Sequence, residues 1–230
     1  MAPSDPPRVL SPRSDLDALV VNLELTLISI IQGVALSFLV EGLRDVLVPL
    51  RWESVPYGLA GLCIILLWWT RGVLHTLTVI AWPIDFAHNF LYVASALAES
   101  LMFTQLASPA HWYGFGILFS GLLWWLFAAD LRLIRERIAE HRHPVYRELL
   151  GIILREQKRQ IAIAMPAATA FYAASTLAIG AAPGFFLDRG GHVWIALVQL
   201  GAASAYVVYV LRYFRRIAGL LLRSRQEEIA

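Results

Sequence analysis

Residues 57–81 read YGLAGLCIILLWWTRGVLHTLTVIA, an apolar run in which Arg71 is the only formally charged side chain. A β-strand rarely exceeds about 10 residues, whereas about 20 apolar residues in a helix cross the hydrocarbon core of a bilayer. A lone helix also satisfies its own backbone hydrogen bonds, which lipid requires. The run therefore predicts a membrane-spanning helix.

Five further apolar runs of similar length occupy residues 19–40, 84–106, 113–133, 161–182 and 193–211. The chain of 230 residues is 58% hydrophobic and 16% charged, and its mean hydropathy is +0.62. Soluble domains carry about 25% charged residues, so this composition excludes an ordinary soluble enzyme as well as a disordered chain. We predict an all-α polytopic membrane protein, with one six-helix transmembrane domain over residues 17–230.

Three polar segments lie outside the predicted spans. Residues 1–16 contain four prolines and mixed charge, which predicts a disordered cytoplasmic tail rather than a signal peptide. Residues 134–160 predict a cytoplasmic helical extension between spans four and five. Its amphipathic part, 145–160, either lies on the inner leaflet or packs against a second subunit. Residues 212–228 predict a basic C-terminal helix.

The basic residues predict the orientation of the chain. Eight lie between positions 132 and 159 and five between 212 and 225, whereas the first outer loop holds only Arg44 and Arg51. Because basic loops remain on the cytoplasmic side, both termini are expected there, in a plasma (bacterial inner) membrane. Cys63, the one cysteine, permits no intramolecular disulfide.

Polar side chains at membrane depth are concentrated in the first three spans. Ionisable groups there cost at least about 2.5 kcal/mol near a helix centre, so they rarely face lipid. Span three carries a stripe that repeats at helical spacing and lies within one arc of the helix. Its members are Asp85, His88, Tyr92, Ser95 and Glu99.

The first two spans add Glu24, Arg71 and His75 to this set. Counted from the short turn at residues 82–83, His75 and His88 lie at similar depth on adjacent antiparallel helices. Glu24 reaches a comparable depth, so Glu24, His75, Asp85 and His88 are predicted to form an inner cluster. Arg71 would then lie between that cluster and the outer acid Glu99.

Three functions are compatible with this pattern. We favour an oligomeric ion channel or ion-coupled transporter, which conducts inorganic ions or protons along span three with support from spans one and two. A non-transporting structural, sensory or partner-binding subunit is the first alternative. A protein that holds haem or a metal ion through His75 and His88 is the second.

Several other partners and activities are not expected. The chain contains no phosphate-binding loop, zinc-protease motif, nucleophile elbow or potassium-filter sequence. We therefore expect no catalytic residues, no enzymatic activity and no resident cofactor. Because positive-inside placement already accounts for the arginines, we expect no nucleic-acid partner either. The lipid bilayer and further copies of the chain are the predicted partners.

Overall fold

The computed structural model describes residues 12–81, 85–140 and 144–229, and every regular element in these ranges is helical. The predicted all-α fold is confirmed. The α-helices are α1 (Pro12–Leu47), α2 (Val55–Thr78), α3 (Phe86–Phe103), α4 (Pro109–Glu140), α5 (Pro144–Arg159), α6 (Met165–Ala181) and α7 (His192–Ile229). A 3₁₀ turn (Trp52–Ser54) precedes α2, and π-helical turns follow α5 (Gln160–Ala164) and α6 (Gly184–Asp188).

Within the described residues, five helical segments are long and apolar enough to cross a membrane. They are Asp15–Leu47, Trp52–Thr78, Pro109–Glu140, Pro144–Ala181 and His192–Leu222. Helix α3, which overlaps the predicted span 84–106, is not among them. Its row of polar side chains lowers its mean hydropathy.

The helix ends differ from the predicted segment boundaries in three places. Helix α1 begins at Pro12, inside the predicted tail 1–16, while residues 1–11 lie outside the described residues. Helices α4 and α5 account for most of the predicted extension 134–160, and the predicted helix 212–228 is the continuation of α7. The turn at 82–83, from which depth was counted, also lies outside the described residues.

Helix α5 packs into its own chain, which neither predicted location for it anticipated. Leu149, Leu150 and Ile153 are buried in a cluster with Ile134 of α4 and Ile217 of α7. The amphipathic pattern of 145–160 therefore reflects an intramolecular face, since α4 and α7 supply the apolar surface that the prediction assigned to lipid or to a second subunit.

Two side chains fasten the end of α2, where the last carbonyl groups of a helix lack internal partners. The Tyr146 hydroxyl of α5 donates to the Thr78 carbonyl at 2.7 Å, and Arg137 Nε of α4 donates to the Val79 carbonyl at 3.0 Å. These bonds hold α4 and α5 against the turn of α2 from which His75 projects.

Close helix packing relies on glycine at two contacts. A Cβ atom at Gly42 of α1 would lie 2.6 Å from the carbonyl oxygen of Phe103, at the end of α3. A Cβ atom at Gly116 of α4 would lie still closer to the ring of Tyr172 in α6. Both distances are shorter than carbon allows, so these helices approach as closely as they do only because a side chain is missing.

Some alanines of α6, such as Ala168 and Ala173, are partly buried, and others are exposed. Helix α6 buries Tyr172 and Ile179, whereas Ala167, Ala170 and Ala174 are exposed. Small residues allow a neighbouring helix to approach closely, and in the described structure no helix of the same chain covers the exposed alanines.

Candidate functional site

Two histidines and one aspartate meet where α2, α3 and α4 pack together. Asp130 is 3% exposed, and its Oδ1 atom accepts a hydrogen bond from His88 Nδ1 at 2.7 Å. The Nε2 atom of His75 lies 3.7 Å from Asp130 Oδ2. The two imidazole rings are stacked, with 5.2 Å between their centroids and 18° between their planes. We call these three residues the His–Asp cluster.

The end of α2 and the start of α3 position the two histidines of this cluster. His75 lies in the last turn of α2 and His88 in the first turn of α3. Asp85 caps α3 by accepting from the backbone N–H groups of Ala87 and His88 at 2.9 and 3.1 Å. Such a cap fixes the first helical turn, and here that turn carries His88.

A small cavity lies against the His–Asp cluster. Its volume is about 30 Å³, and its lining includes further polar side chains, namely Glu24, Arg71, Thr76, Tyr92 and Gln157. This volume is enough to hold a water molecule, because one needs only about 10–15 Å³ of such space. The position of Glu24 is fixed by Asn89, whose Nδ2 atom donates to Glu24 Oε1 at 2.8 Å.

Arg71 is anchored by α5 rather than by the acids of the first three helices. Its guanidinium donates to Gln157 Oε1 at 3.2 Å and lies 3.9 Å from Glu156 Oε1. It also lies over the ring of Phe127, 5.2 Å from the centroid. The side chain therefore borders the cavity, but its charge is balanced on the α5 side.

Farther along the stripe, Glu99 forms a buried pair with α1. Gln32 Nε2 donates to Glu99 Oε2 at 3.2 Å, and Glu99 is fully buried. Among the described residues, Glu99 Oε1 has no hydrogen-bond partner and no cation lies within ion-pair distance of Glu99. Ser95, also buried, donates to the carbonyl of Leu91 in its own helix.

Tyr92 lies between these two levels. Its ring is stacked on Trp68 of α2, 4.9 Å between centroids, and borders the cavity. Its hydroxyl has no hydrogen-bond partner in the described part of the chain. The polar stripe thus runs along α3 from His88 in the His–Asp cluster, past the Tyr92 hydroxyl, to Glu99.

The structure brings most of the predicted site residues together, but not all of them. Around the one cavity are Glu24, Arg71, His75, His88 and Tyr92. Asp85 is separate from it, because Arg132 Nη2 donates to Asp85 Oδ2 at 2.8 Å and holds that carboxylate at the helix end. Ser95 and Glu99 are buried on the same helix but are not part of the cavity lining.

Asp130, Glu156 and Gln157 were not predicted as site residues. Asp130 lies near the end of the predicted span 113–133, beside the arginines that begin at position 132, and was not counted among the polar groups at membrane depth. A signal was present, since Asp130 directly follows an apolar run and stands two residues before those arginines. An acid in that position lies at the same depth as a histidine in the first turn of the preceding span.

Chemically, this arrangement offers nitrogen and oxygen donors around a water-sized space inside a helical bundle. Such a set binds cations or hydrogen-bonded water.

Comparisons with known proteins add no family or fold relationship, because no protein-family model, curated protein or solved structure matches this chain.

Proposed function

We propose that this chain is an integral membrane ion channel or ion-coupled transporter, with its polar pathway along α3 and support from α1 and α2. The observation that carries the proposal is the buried His–Asp cluster on a water-sized cavity. Polar groups that serve packing alone need no adjacent space. Here Glu24, Tyr92 and the His–Asp cluster converge on a cavity that is large enough for a water molecule.

The pathway runs from the cytoplasmic side, at Asp85 and Arg132, through the cluster to Tyr92 and Glu99. Gln32 supplies a hydrogen bond to Glu99 but no positive charge, so the buried carboxylate is neutralised by a bound proton or by a passing cation. Ions or protons that pass between the two levels meet the Tyr92 hydroxyl on the way. Arg71 beside the cavity acts as a fixed positive charge that limits occupancy.

The same proposal includes six membrane spans, with α3 as the third. Its 18 residues extend about 27 Å, close to the roughly 30 Å of a hydrocarbon core. The polar stripe of α3 is turned inward, whereas its outward face presents Phe86, Phe90 and Leu97 at 82%, 73% and 62% exposure. An apolar outer face with a polar inner one is the pattern of a pathway-lining helix in lipid.

In this topology both termini, the end of α4 and the start of α5 lie in the cytoplasm, as the distribution of basic residues favours. The chain assembles as a homo-oligomer in the plasma membrane. The exposed alanines of α6 support this assembly, since small residues allow a helix of a second copy to approach closely.

Reconstituted flux tests the transport proposal. The purified chain is placed in proteoliposomes, with pyranine inside to report protons and a Zn²⁺-sensitive dye to report a divalent cation. We expect His88→Ala and Glu99→Gln to reduce flux at least about tenfold, because each removes a polar group from a different level of the pathway.

His111→Ala is the matched control, since His111 is exposed and bonds only with Ser108 in the described structure. Its flux should equal that of the unmodified chain. If His88→Ala and Glu99→Gln both give the flux of the unmodified chain, with oligomer yield preserved in all variants, the pathway would be overturned. That result would favour a non-transporting subunit.

A further inference from the structure

The donor atoms of the His–Asp cluster are spaced as metal ligands are. In a tetrahedral site with bonds of about 2.0–2.2 Å, ligand atoms lie roughly 3.3–3.6 Å apart. Asp130 Oδ1 lies 2.7 Å from His88 Nδ1, and Asp130 Oδ2 lies 3.7 Å from His75 Nε2. These two distances lie on either side of that range. All three donor atoms lie within 4.8 Å of one another. Because 4.8 Å exceeds the tetrahedral range by about 1.2–1.5 Å, side-chain shifts of about 1 Å would bring all three atoms onto one ion.

His75 Nε2 has no hydrogen-bond partner in the described structure, although it is buried and points toward Asp130. Buried polar atoms are rarely left this way, so an unmade interaction at this nitrogen needs an explanation. A metal ion between His75 and Asp130 provides it. His88 can join the same ion through Nδ1 once its hydrogen moves to Nε2.

The charges near the cavity balance a divalent ion. Asp130 and Glu24 together contribute two negative charges, and neutral imidazoles contribute none. A desolvated ion is tolerated inside a protein only when it is paired in this way. Arg71 opposes the ion, but Glu156 and Gln157 hold its guanidinium on the α5 side.

We propose that His75, His88 and Asp130 bind one divalent first-row transition-metal ion of the Zn²⁺ class, with the cavity leaving a position for water or Glu24. Imidazole nitrogen favours these metals, whereas sites for Mg²⁺ or Ca²⁺ are built from oxygen. A bare ion suits this geometry better than haem, since the two rings are stacked face to face rather than placed on opposite sides of a macrocycle. The inference deepens the proposed function, and rests on it for the assumption that this site takes a cation.

Equilibrium metal binding tests the inference without any flux measurement. The full chain is purified in detergent, stripped with a chelator and titrated with Zn²⁺ in a calorimeter. We expect one Zn²⁺ per chain and no heat with Mg²⁺. Replacing a hydrogen-bonded partner of a ligand typically weakens binding 10–100-fold. Loss of a ligand itself in His75→Ala or Asp130→Asn should weaken it by more than about 100-fold.

His111→Ala is again the control and should bind Zn²⁺ as the unmodified chain does. Co²⁺ supplies a measurement that needs no variant, because a four-coordinate site with nitrogen and oxygen ligands gives intense visible absorption. Absence of both Zn²⁺ binding and this absorption in the unmodified chain would overturn the inference, as would unchanged affinity in folded His75→Ala and Asp130→Asn.

The transport function and the metal site can each be overturned while the other is retained. Zn²⁺ binding in a chain that shows no flux retains the metal site and overturns the transport function. Proton flux that depends on His88 and Glu99 in a chain that does not bind Zn²⁺ retains the pathway and overturns the metal site.

Discussion

Glu156 lies in a helix that is basic overall, yet it is buried among polar partners from three helices. Tyr209 of α7 donates to its Oε2 atom at 2.6 Å, Gln160 donates to Oε1, and Arg71 of α2 lies 3.9 Å away. Arg159 lies 3.7 Å from it on the more exposed side. A carboxylate in this position connects α5 to α2 and α7, and its loss leaves Arg71 inside the bundle with reduced compensation.

We therefore expect Glu156→Ala to lower the free energy of unfolding by about 3 kcal/mol. Removal of one member of a buried ion pair costs about 3–5 kcal/mol, and the loss here is at the low end because Arg71 keeps Gln157. Thermal unfolding in detergent, followed by circular dichroism, measures the change. Glu148→Ala in the same helix is the control, since Glu148 is exposed and surface substitutions stay within about 0.5 kcal/mol. Equal melting of the two variants would contradict a structural role for Glu156.

Sequence patterns located some of these residues and missed others for one physical reason. Counting depth from a short turn requires only the rise of a helix, and it predicted that His75 and His88 lie side by side, where their rings are indeed stacked. Asp130 and Glu156 stand beside dense arginines, and neither was among the predicted site residues. Whether such an acid is buried depends on which helix covers it, and periodicity carries no information about that partner.

Helix α1 illustrates how single elements are fitted to their neighbours. Gly42 faces the carbonyl oxygen of Phe103, a backbone atom that cannot rotate away as a side chain can. On the same helix, a Cβ atom at Gly33 would meet nothing within 4 Å. The two glycines are thus a matched pair, one required by packing and one not.

We expect Gly42→Ala to destabilise the chain by about 1–3 kcal/mol, the range for forcing extra atoms into a packed contact. Gly33→Ala should be neutral or should stabilise α1 by up to about 1 kcal/mol, because alanine favours the helix over glycine. Parallel thermal unfolding of both variants in the same detergent gives the comparison. Destabilisation of the same size at both positions would mean that helix propensity, and not the contact with α3, governs this part of α1.

The positions of the helices follow from hydropathy, because lipid imposes both a minimum length and internal hydrogen bonding on any span. The packing of α5 does not follow from it. An amphipathic segment has one apolar face whether it lies on lipid, on a second subunit or against α4 and α7. Only the tertiary structure shows that Leu149 and Leu150 meet Ile134 and Ile217. Several alanines of α6 remain exposed in the folded chain, although small residues of this kind suit close helix packing.

In the described structure, many buried polar side chains lie between α1–α5, while large apolar side chains are exposed on the outward faces of the helices. Large side chains such as Leu19, Ile30 and Trp194 are exposed at 55%, 60% and 73%. A soluble protein of this size rarely exposes apolar area so extensively, whereas a chain surrounded by lipid gains by doing so. The number of membrane crossings is then five or six, according to whether α3 crosses in addition to the five other apolar segments.

An even number of crossings places the two termini on the same side of the membrane, and an odd number places them on opposite sides. If α3 crosses with the five other apolar segments, the six crossings place the two termini on one side of the membrane and the α6–α7 connection on the other. If α3 does not cross, five crossings place the termini on opposite sides.

In a Cys63→Ala background, single cysteines are introduced as Asp15→Cys, Arg189→Cys and Arg215→Cys, all at exposed positions. A membrane-impermeant maleimide is then applied to intact cells and to inverted vesicles. We expect Asp15→Cys and Arg215→Cys to react only in inverted vesicles and Arg189→Cys only in intact cells. Reaction of Asp15→Cys and Arg215→Cys from opposite sides would remove α3 from the membrane-spanning set, and with it the pathway that α3 is proposed to line.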